Sequence, residues 1–165
     1  MAGPIIVMGV SGCGKTTAGE ALARHLGVPY IEGDALHPAA NVAKMAGGTP
    51  LNDDDRWPWL EKIGSELKAQ TGGAVATCSS LKKSYRQRLR DTAGDGLRFV
   101  FLKCSREVLE RRMRERKGHF MPPSLLVSQL ATLEDPSGEP GVVTVNGDAG
   151  HEVIMAEIIS RLGNG

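Results

Sequence analysis

Gly9-Val10-Ser11-Gly12-Cys13-Gly14-Lys15-Thr16 is the stretch on which the reading of this chain turns. It satisfies G-x-x-x-x-G-K-[ST] at every fixed position, the pattern of a phosphate-binding P-loop. Its flanks agree. The apolar run Ile5-Ile6-Val7-Met8 precedes it, and Thr17 to Leu26 follows with Ala18, Ala21, Leu22 and Leu26 on one helical face. A strand, a glycine loop and a helix N-terminus in that order form an anion cradle. The glycines let the backbone turn its N–H groups inward, and the helix dipole adds partial positive charge. The predicted nucleotide contacts are Gly9, Val10, Ser11, Gly12, Cys13, Gly14, Lys15, Thr16 and Thr17. Lys15 is placed to reach the β- and γ-phosphates, and the Thr16 hydroxyl to hold Mg²⁺. A glycine turn that binds nothing would not need both the motif and these flanks, so a nucleoside triphosphate is the expected ligand.

Outside this loop, composition sets bounds. A length of 165 residues suits one domain with a sizeable core. Lys plus Arg number 20 and Asp plus Glu 19, and a net charge of +1 argues against a general nucleic-acid binder. Positive charge is clustered, however: Lys103 to Lys117 holds seven Lys or Arg against three Glu, and Lys82 to Arg90 holds five with no acid. Such runs are solvated helix faces or sites for polyanions. No stretch approaches the ~20 apolar residues of a membrane span, and Met1-Ala2-Gly3-Pro4 leaves no room for a signal peptide before the first strand. Cys13, Cys78 and Cys104 are odd in number and form no C-x-x-C pair, which favours free thiols in a reducing compartment. A cytoplasmic protein is expected.

Along the chain, Gly27 is placed to cap the first helix, and Tyr30-Ile31-Glu32 reads as a second strand ending at Gly33-Asp34. A polar region from His37 to Asp55 holds one short helical candidate, Asn41 to Met45. A helix from about Arg56 to Gln70 follows, with Pro58 in its first turn and Trp59, Leu60, Ile63 and Leu67 as a core stripe. Ala74 to Cys78, Phe99 to Leu102 and Val142 to Val145 read as three further strands. Between them stand a basic helix, Lys82 to Thr92, and one capped by Ser105 that turns Val108, Leu109 and Met113 inward and a row of arginines outward. That helix breaks at Lys117 to Pro123, Ser124 caps another, and His151 to Leu162 forms the last. Alternating strands and helices imply an α/β fold, a five-stranded parallel sheet with helices on both faces. Ligands in such sheets sit beyond the carboxyl ends of the strands, which gathers Gly9 to Thr16, Asp34 and Cys78-Ser79-Ser80 around one cleft.

Three features narrow the chemistry. No long hydrophobic strand ends in Asp as a Walker B strand would, so Mg²⁺ must rely on Thr16 with Glu32 or Asp34. Asn-Lys-x-Asp, the guanine signature of GTPases, is missing. Arg111, Arg112, Arg114, Arg116 and Lys117 end at a break containing Gly118, as expected of a hinged lid over a transferring phosphate.

With these residues in view, the chain resembles the gluconokinases. The likeness is carried by Gly33-Asp34-x-x-His37-Pro38, Asn41-Val42-x-Lys44-Met45, and Pro50-Leu51-Asn52-Asp53-Asp54-Asp55-Arg56 with Pro58-Trp59-Leu60. Cys78-Ser79-Ser80-Leu81-Lys82-Lys83-x-Tyr85-Arg86, Arg116-Lys117-Gly118-His119-Phe120, and Gln129 with Thr132-Leu133-Glu134 extend it to most of the chain. The resemblance implies ATP-dependent phosphorylation of D-gluconate on its 6-hydroxyl, with Mg²⁺. It also implies the P-loop fold of the nucleoside monophosphate kinase-like type, in strand order 2-3-1-4-5, and a homodimer. The chain would be a single kinase domain, 1–165, with a substrate-binding region at 34–70 and a mobile lid at 112–123.

Roles follow from the same likeness. Lys15, Asp34 and Arg116 are the expected catalytic residues, Asp34 orienting or deprotonating the hydroxyl. Arg56 and Arg86 are candidates for the gluconate carboxylate, since a guanidinium fork matches it bidentately; a surface ion pair is the alternative for each. His37, Lys44, Lys82 and Tyr85 are placed to bond the polyol chain or shape the pocket, Arg112 and Arg116 to close on nucleotide, and His119 to stabilise the lid. Adenine is expected near Asn146 to Ala149. Glu32 stands where the family commonly has Asp, Cys13 where it usually has Ser, and Asn146 where Asp often follows the last strand. The rival readings are a kinase for shikimate or a nucleoside monophosphate, and a nucleotide-binding module without turnover. Retention of Lys15 and Asp34 argues against the second.

Overall fold

β1 (Ile5–Met8) runs through the middle of the sheet with all four side chains buried. A strand covered on both faces has no use for polar alternation, so its sequence is continuously apolar. In the computed structural model, which describes residues 3–115 and 123–163, it pairs in parallel with β3 (Val75–Thr77) and β4 (Arg98–Lys103). Ile5 lies opposite Val75 on one side and Arg98 on the other. β2 (Tyr30–Ile31) and β5 (Val142–Asn146) complete the sheet in the order β2-β3-β1-β4-β5. That is the order the resemblance implies.

The helices are α1 (Lys15–Leu26), α2 (Ala39–Ala46), α3 (Asp53–Ala69), α4 (Lys83–Ala93), α5 (Arg106–Glu115), α6 (Pro123–Thr132) and α7 (His151–Gly163). Gly14, at φ 94°, is the left-handed residue that lets the loop enter α1, and Gly27 closes that helix in the same conformation. Trp59, Leu60, Ile63 and Leu67 of α3 are buried, as their spacing predicts.

Three boundaries differ from expectation. α3 starts three residues early because Asn52 caps it: its Oδ1 accepts from the Asp55 N–H at 2.8 Å, and Asp55 Oδ2 accepts from the Asn52 N–H at 2.9 Å. Pro58 therefore lies in the second turn, where it offers no N–H to the preceding turn. β2 stops at Ile31, and Asp34 belongs to a 3₁₀ turn, Gly33–Leu36, instead of ending the strand. α6 begins at Pro123, one residue before the expected cap; the Ser124 side chain lies outside the description. Arg116, Lys117, Gly118, His119 and Phe120, and with them most of the expected lid at 112–123, also fall outside the described residues.

Candidate active site

The P-loop joins β1 to α1 and is held from several sides. The Gly9 N–H donates to Ser79 O at 3.3 Å, tying it to the turn after β3. Lys15 Nζ donates to the carbonyls of Gly9 (3.0 Å) and Val10 (3.2 Å), so the ammonium rests across the loop it serves. The first-turn N–H groups of α1 have no partner within the helix and supply the rest of the cradle. Thr17 is exposed on the same turn.

Beside it lies Glu32, one of the two acids expected to support Mg²⁺ with Thr16. Glu32 Oε2 accepts from Thr16 Oγ1 at 3.0 Å and from the Tyr30 hydroxyl at 2.6 Å, while Oε1 accepts from Thr77 Oγ1 at 3.0 Å. Burial and the Glu32 hydrogen bond both push the Tyr30 phenol upward, so it stays a donor. The Glu32 carboxylate beside the Thr16 hydroxyl is a set of hard oxygen donors that could hold Mg²⁺.

Across the cleft, the Gly33–Leu36 turn presents Asp34 with its side chain 72% exposed. Gly33 is pinned: its N–H donates to Thr77 Oγ1 at 3.2 Å and its carbonyl accepts from Trp59 Nε1 at 2.8 Å. A Cβ there would lie 1.7 Å from the Thr77 carbonyl oxygen, so only glycine fits. Both Asp34 and Lys15 act on the buried Cys78 thiol at the end of β3. Burial chiefly raises its pKa to about 11, Ser80 hydrogen bonds lower it, and of the two charges Asp34 raises it and Lys15 lowers it.

His37 is a buried, neutral ring. It stacks on Trp59 at 3.9 Å between centroids, and its Nδ1 accepts from Asn41 Nδ2 at 3.1 Å. That bond leaves the proton on Nε2, 3.9 Å from Asp34 Oδ1. Burial first, with Arg56 against Asp34, holds its pKa below the ordinary value. Asn41, itself buried, also donates to the Asp55 carbonyl at 2.9 Å, tying α2 to α3.

The expected substrate cations meet around the N-termini of α3 and α4. Arg56 donates to the Tyr85 hydroxyl at 2.9 Å, Tyr85 in turn donates to Asp53, and Lys82 reaches Asp53 at 3.1 Å. These contacts hold the Asp53 carboxyl low, Tyr85 foremost and then Lys82. Lys44 pairs with Asp55 at 2.7 Å. Arg56, half-buried, has no carboxylate within ion-pair distance among the described residues, so the surface ion pair weighed for it is not formed. Arg56, Lys82, Asp53 and Leu51 line an open cleft that Thr132 of α6 completes.

Arg86 is the correction. It was expected to clamp a carboxylate of the substrate, yet its side chain is fully buried and clamps one of the protein. Nε and Nη2 grip Glu139 at 3.1 and 2.6 Å, while Nη1 and Nη2 donate to the carbonyls of Ser80 (2.8 Å), Leu81 (3.3 Å) and Glu134 (3.0 Å). Ser80 adopts φ 50°, a strained conformation for a residue with a Cβ. Arg86 holds that turn in place. Nothing in the sequence pointed to Glu139, which lies in a loop rich in Pro and Gly.

Arg112 also leaves the outward row of arginines. It turns beneath the P-loop and donates to Cys13 O (3.2 Å) and Gly147 O (3.0 Å), joining the loop to the turn after β5 where adenine is expected. Its Nη1 lies 3.6 Å from Cys104 Sγ. The Cys104 hydrogen bond, with Lys15 and Arg112, lowers the Cys13 pKa to about 6 against its burial, and Cys104 is raised because it keeps the shared proton. Gln129, noted in the sequence only as part of a pattern, contacts the P-loop directly: the Ser11 N–H donates to its Oε1 at 2.8 Å and its Nε2 donates to Ser11 Oγ at 3.1 Å.

A parallel sheet in this order, a P-loop after its central strand and an acceptor cleft beside it define a P-loop kinase of the type that acts on small molecules. A family model described as an AAA domain matches residues 5–136. A gluconokinase of Gluconobacter oxydans (strain 621H) is 51% identical over 160 residues, covering 94% of this chain and 88% of its own length. The crystal structure of a gluconokinase from Sinorhizobium meliloti 1021 superposes with a TM-score of 0.92 at 53% identity, covering 98% of this chain and 92% of that one. A shikimate kinase from Aquifex aeolicus vf5 superposes at 0.62 with 16% identity over 98% of this chain and 96% of its own, a likeness of fold alone. The chain belongs to the gluconokinase family.

Proposed function

We propose that this protein transfers the γ-phosphoryl group of ATP to the 6-hydroxyl of D-gluconate, giving 6-phospho-D-gluconate and ADP. One observation carries the choice of acceptor: an Arg56 guanidinium with no carboxylate of the described residues on it, in the acceptor cleft of a kinase of this family. A sugar acid brings the carboxylate which that fork fits. Lys82 lines the same cleft and Tyr85 holds Arg56, and with Lys44 and His37 they are the residues we read as meeting hydroxyls. Arg86 is left out of this set.

Phosphoryl transfer depends on holding the acceptor in line and neutralising charge on the transferring group. Lys15, resting on the Gly9 and Val10 carbonyls, is the cation for that charge. Asp34 is the residue to orient the 6-hydroxyl, since it stands exposed on a turn that Gly33 and Trp59 make rigid. Thr16 and Glu32 are the residues that would hold Mg²⁺, which would supply positive charge to offset that of the phosphates. Arg116 and the 112–123 lid would close over the nucleotide, a role resting on the cation-rich end of α5.

The absence of a helix long and apolar enough to span a membrane, among the described residues, gives no membrane role to build on. An ATP-consuming reaction and three free cysteines favour the cytoplasm. We also read the protein as a homodimer, on the family resemblance, so light scattering should return twice the 17.6 kDa chain. The decisive experiment is a coupled ADP-release assay with Mg²⁺ over gluconate, shikimate, CMP and AMP, with NMR of the product. Turnover on gluconate with phosphate at C6 is the expected result. Preference for shikimate or a nucleotide would overturn the reading.

A further inference from the structure

We infer that Gln129 is a positioning residue for phosphoryl transfer, because it fixes the peptide plane on which the Lys15 ammonium rests; the inference builds on the kinase reading above. The Val10–Ser11 peptide is one rigid plane. Its carbonyl accepts from Lys15 Nζ at 3.2 Å and from the Cys13 N–H at 3.3 Å. Its N–H, pointing the other way, donates to Gln129 Oε1 at 2.8 Å. Gln129 Nε2 adds a second bond to Ser11 Oγ at 3.1 Å, so one primary amide grips one residue at two points. A tilt of that plane moves the carbonyl and with it the cation.

The grip has force only if Gln129 is itself held, and it is. Leu126, one turn earlier on α6, is buried in the core. Just beyond α6, the Glu134 N–H donates to Leu81 O at 2.7 Å, its Oε1 accepts from the Lys83 N–H at 2.7 Å, and its carbonyl accepts from Arg86 at 3.0 Å. Those bonds anchor the end of α6 to the start of α4, the helix carrying Tyr85 and following Lys82. The α6 strut therefore joins the loop that holds the phosphoryl donor to the helix that lines the acceptor cleft. Gln129 is the point where this strut touches the loop.

The test substitutes Gln129 by Met, which keeps length and volume and removes both hydrogen bonds. Calorimetric binding of ATP and steady-state kinetics are read together with melting. We expect kcat/KM for ATP at saturating gluconate to fall about tenfold, the worth of one or two neutral hydrogen bonds felt in the transition state. KM for gluconate should stay within twofold and Tm within a few degrees. Ser11→Ala should give a smaller loss, and the double variant less than the product of the two, since the residues share a contact. Gln129→Asn, one methylene too short to span the contact, should behave as Met does and serves if Met disturbs packing. ATP affinity, measured without gluconate, should weaken by less than about threefold. The kcat/KM for ATP is read with whichever acceptor the parent enzyme turns over, so a failure of the gluconate reading is distinguished from a failure of this inference. A kcat/KM for ATP within twofold of the parent in both variants would overturn the inference, whatever happens to Tm. So would losses that multiply fully in the double variant.

Discussion

Replacing Arg86 tests whether its guanidinium serves the substrate or the fold. Arg86→Met removes both guanidinium hydrogen bonds to Glu139 and takes one donor each from the carbonyls of Ser80, Leu81 and Glu134. Breaking a buried pair from one side costs about 3–5 kcal/mol. Glu139 keeps 17% of its side-chain surface, and Arg90 lies 3.6 Å from its other oxygen, so the lower end, about 3 kcal/mol, applies. At roughly 2–4 °C per kcal/mol for a chain of this size, Tm should drop by about 6–12 °C. Arg86→Lys keeps the charge but not the planar fork, so it should fall between parent and Met. Burial alone would raise the Glu139 carboxyl, but the Arg86 hydrogen bonds and charge hold it below its ordinary value of 4.5. A carboxyl lowered by folding adds stability above that value and loses it as pH falls through the lowered one. The melting gap between parent and Arg86→Met should therefore be full at pH 7 and narrow below about pH 4.5. Melting by circular dichroism from pH 3.5 to 8, beside KM for both substrates, reads this out. An unchanged Tm with KM for gluconate raised tenfold or more would refute the structural role and return Arg86 to the substrate.

Three further outcomes are expected. Asp34→Asn should bind MgATP nearly as the parent does and lose about a hundredfold in kcat, the usual worth of a positioned acid–base group; turnover at the parent rate would remove Asp34 from the mechanism. Arg56→Lys should raise KM for gluconate by about tenfold while KM for ATP stays within twofold, because the fork that matches a carboxylate is lost; a change in melting alone would count against it. Cys13 is 1% exposed, so iodoacetamide should reach it only slowly as the loop opens. With the thiol lowered by Cys104, Lys15 and Arg112, that slow rate should level off by pH 7 instead of climbing to pH 9, and saturating ATP should slow it further. A rate still climbing at pH 9, or one that ATP does not affect, would show an ordinary thiol.

Local physics made much of this protein legible in one dimension. The loop from Gly9 to Thr16 works through its own backbone, so its residue types and spacing carry the chemistry wherever the rest of the chain goes. The strands are as readable for a similar reason: burial on both faces demands unbroken apolar runs, as in Ile5–Met8. The core stripe of α3 follows from helical period alone. What the sequence left open is decided by partners far along the chain. Arg86 read as a substrate clamp because a guanidinium looks the same whether its carboxylate comes from gluconate or from Glu139, 53 residues away. Glu32 became the acid on Thr16 only when β2 came to rest beside β3 and set Thr77 on its other oxygen. Gln129 meets Ser11 across 118 residues through an amide with no charge and no period to mark it. Side-chain hydrogen bonds between distant segments are directional and depend on positions to within about half an ångström, and only the packed sheet and its helices set positions that finely.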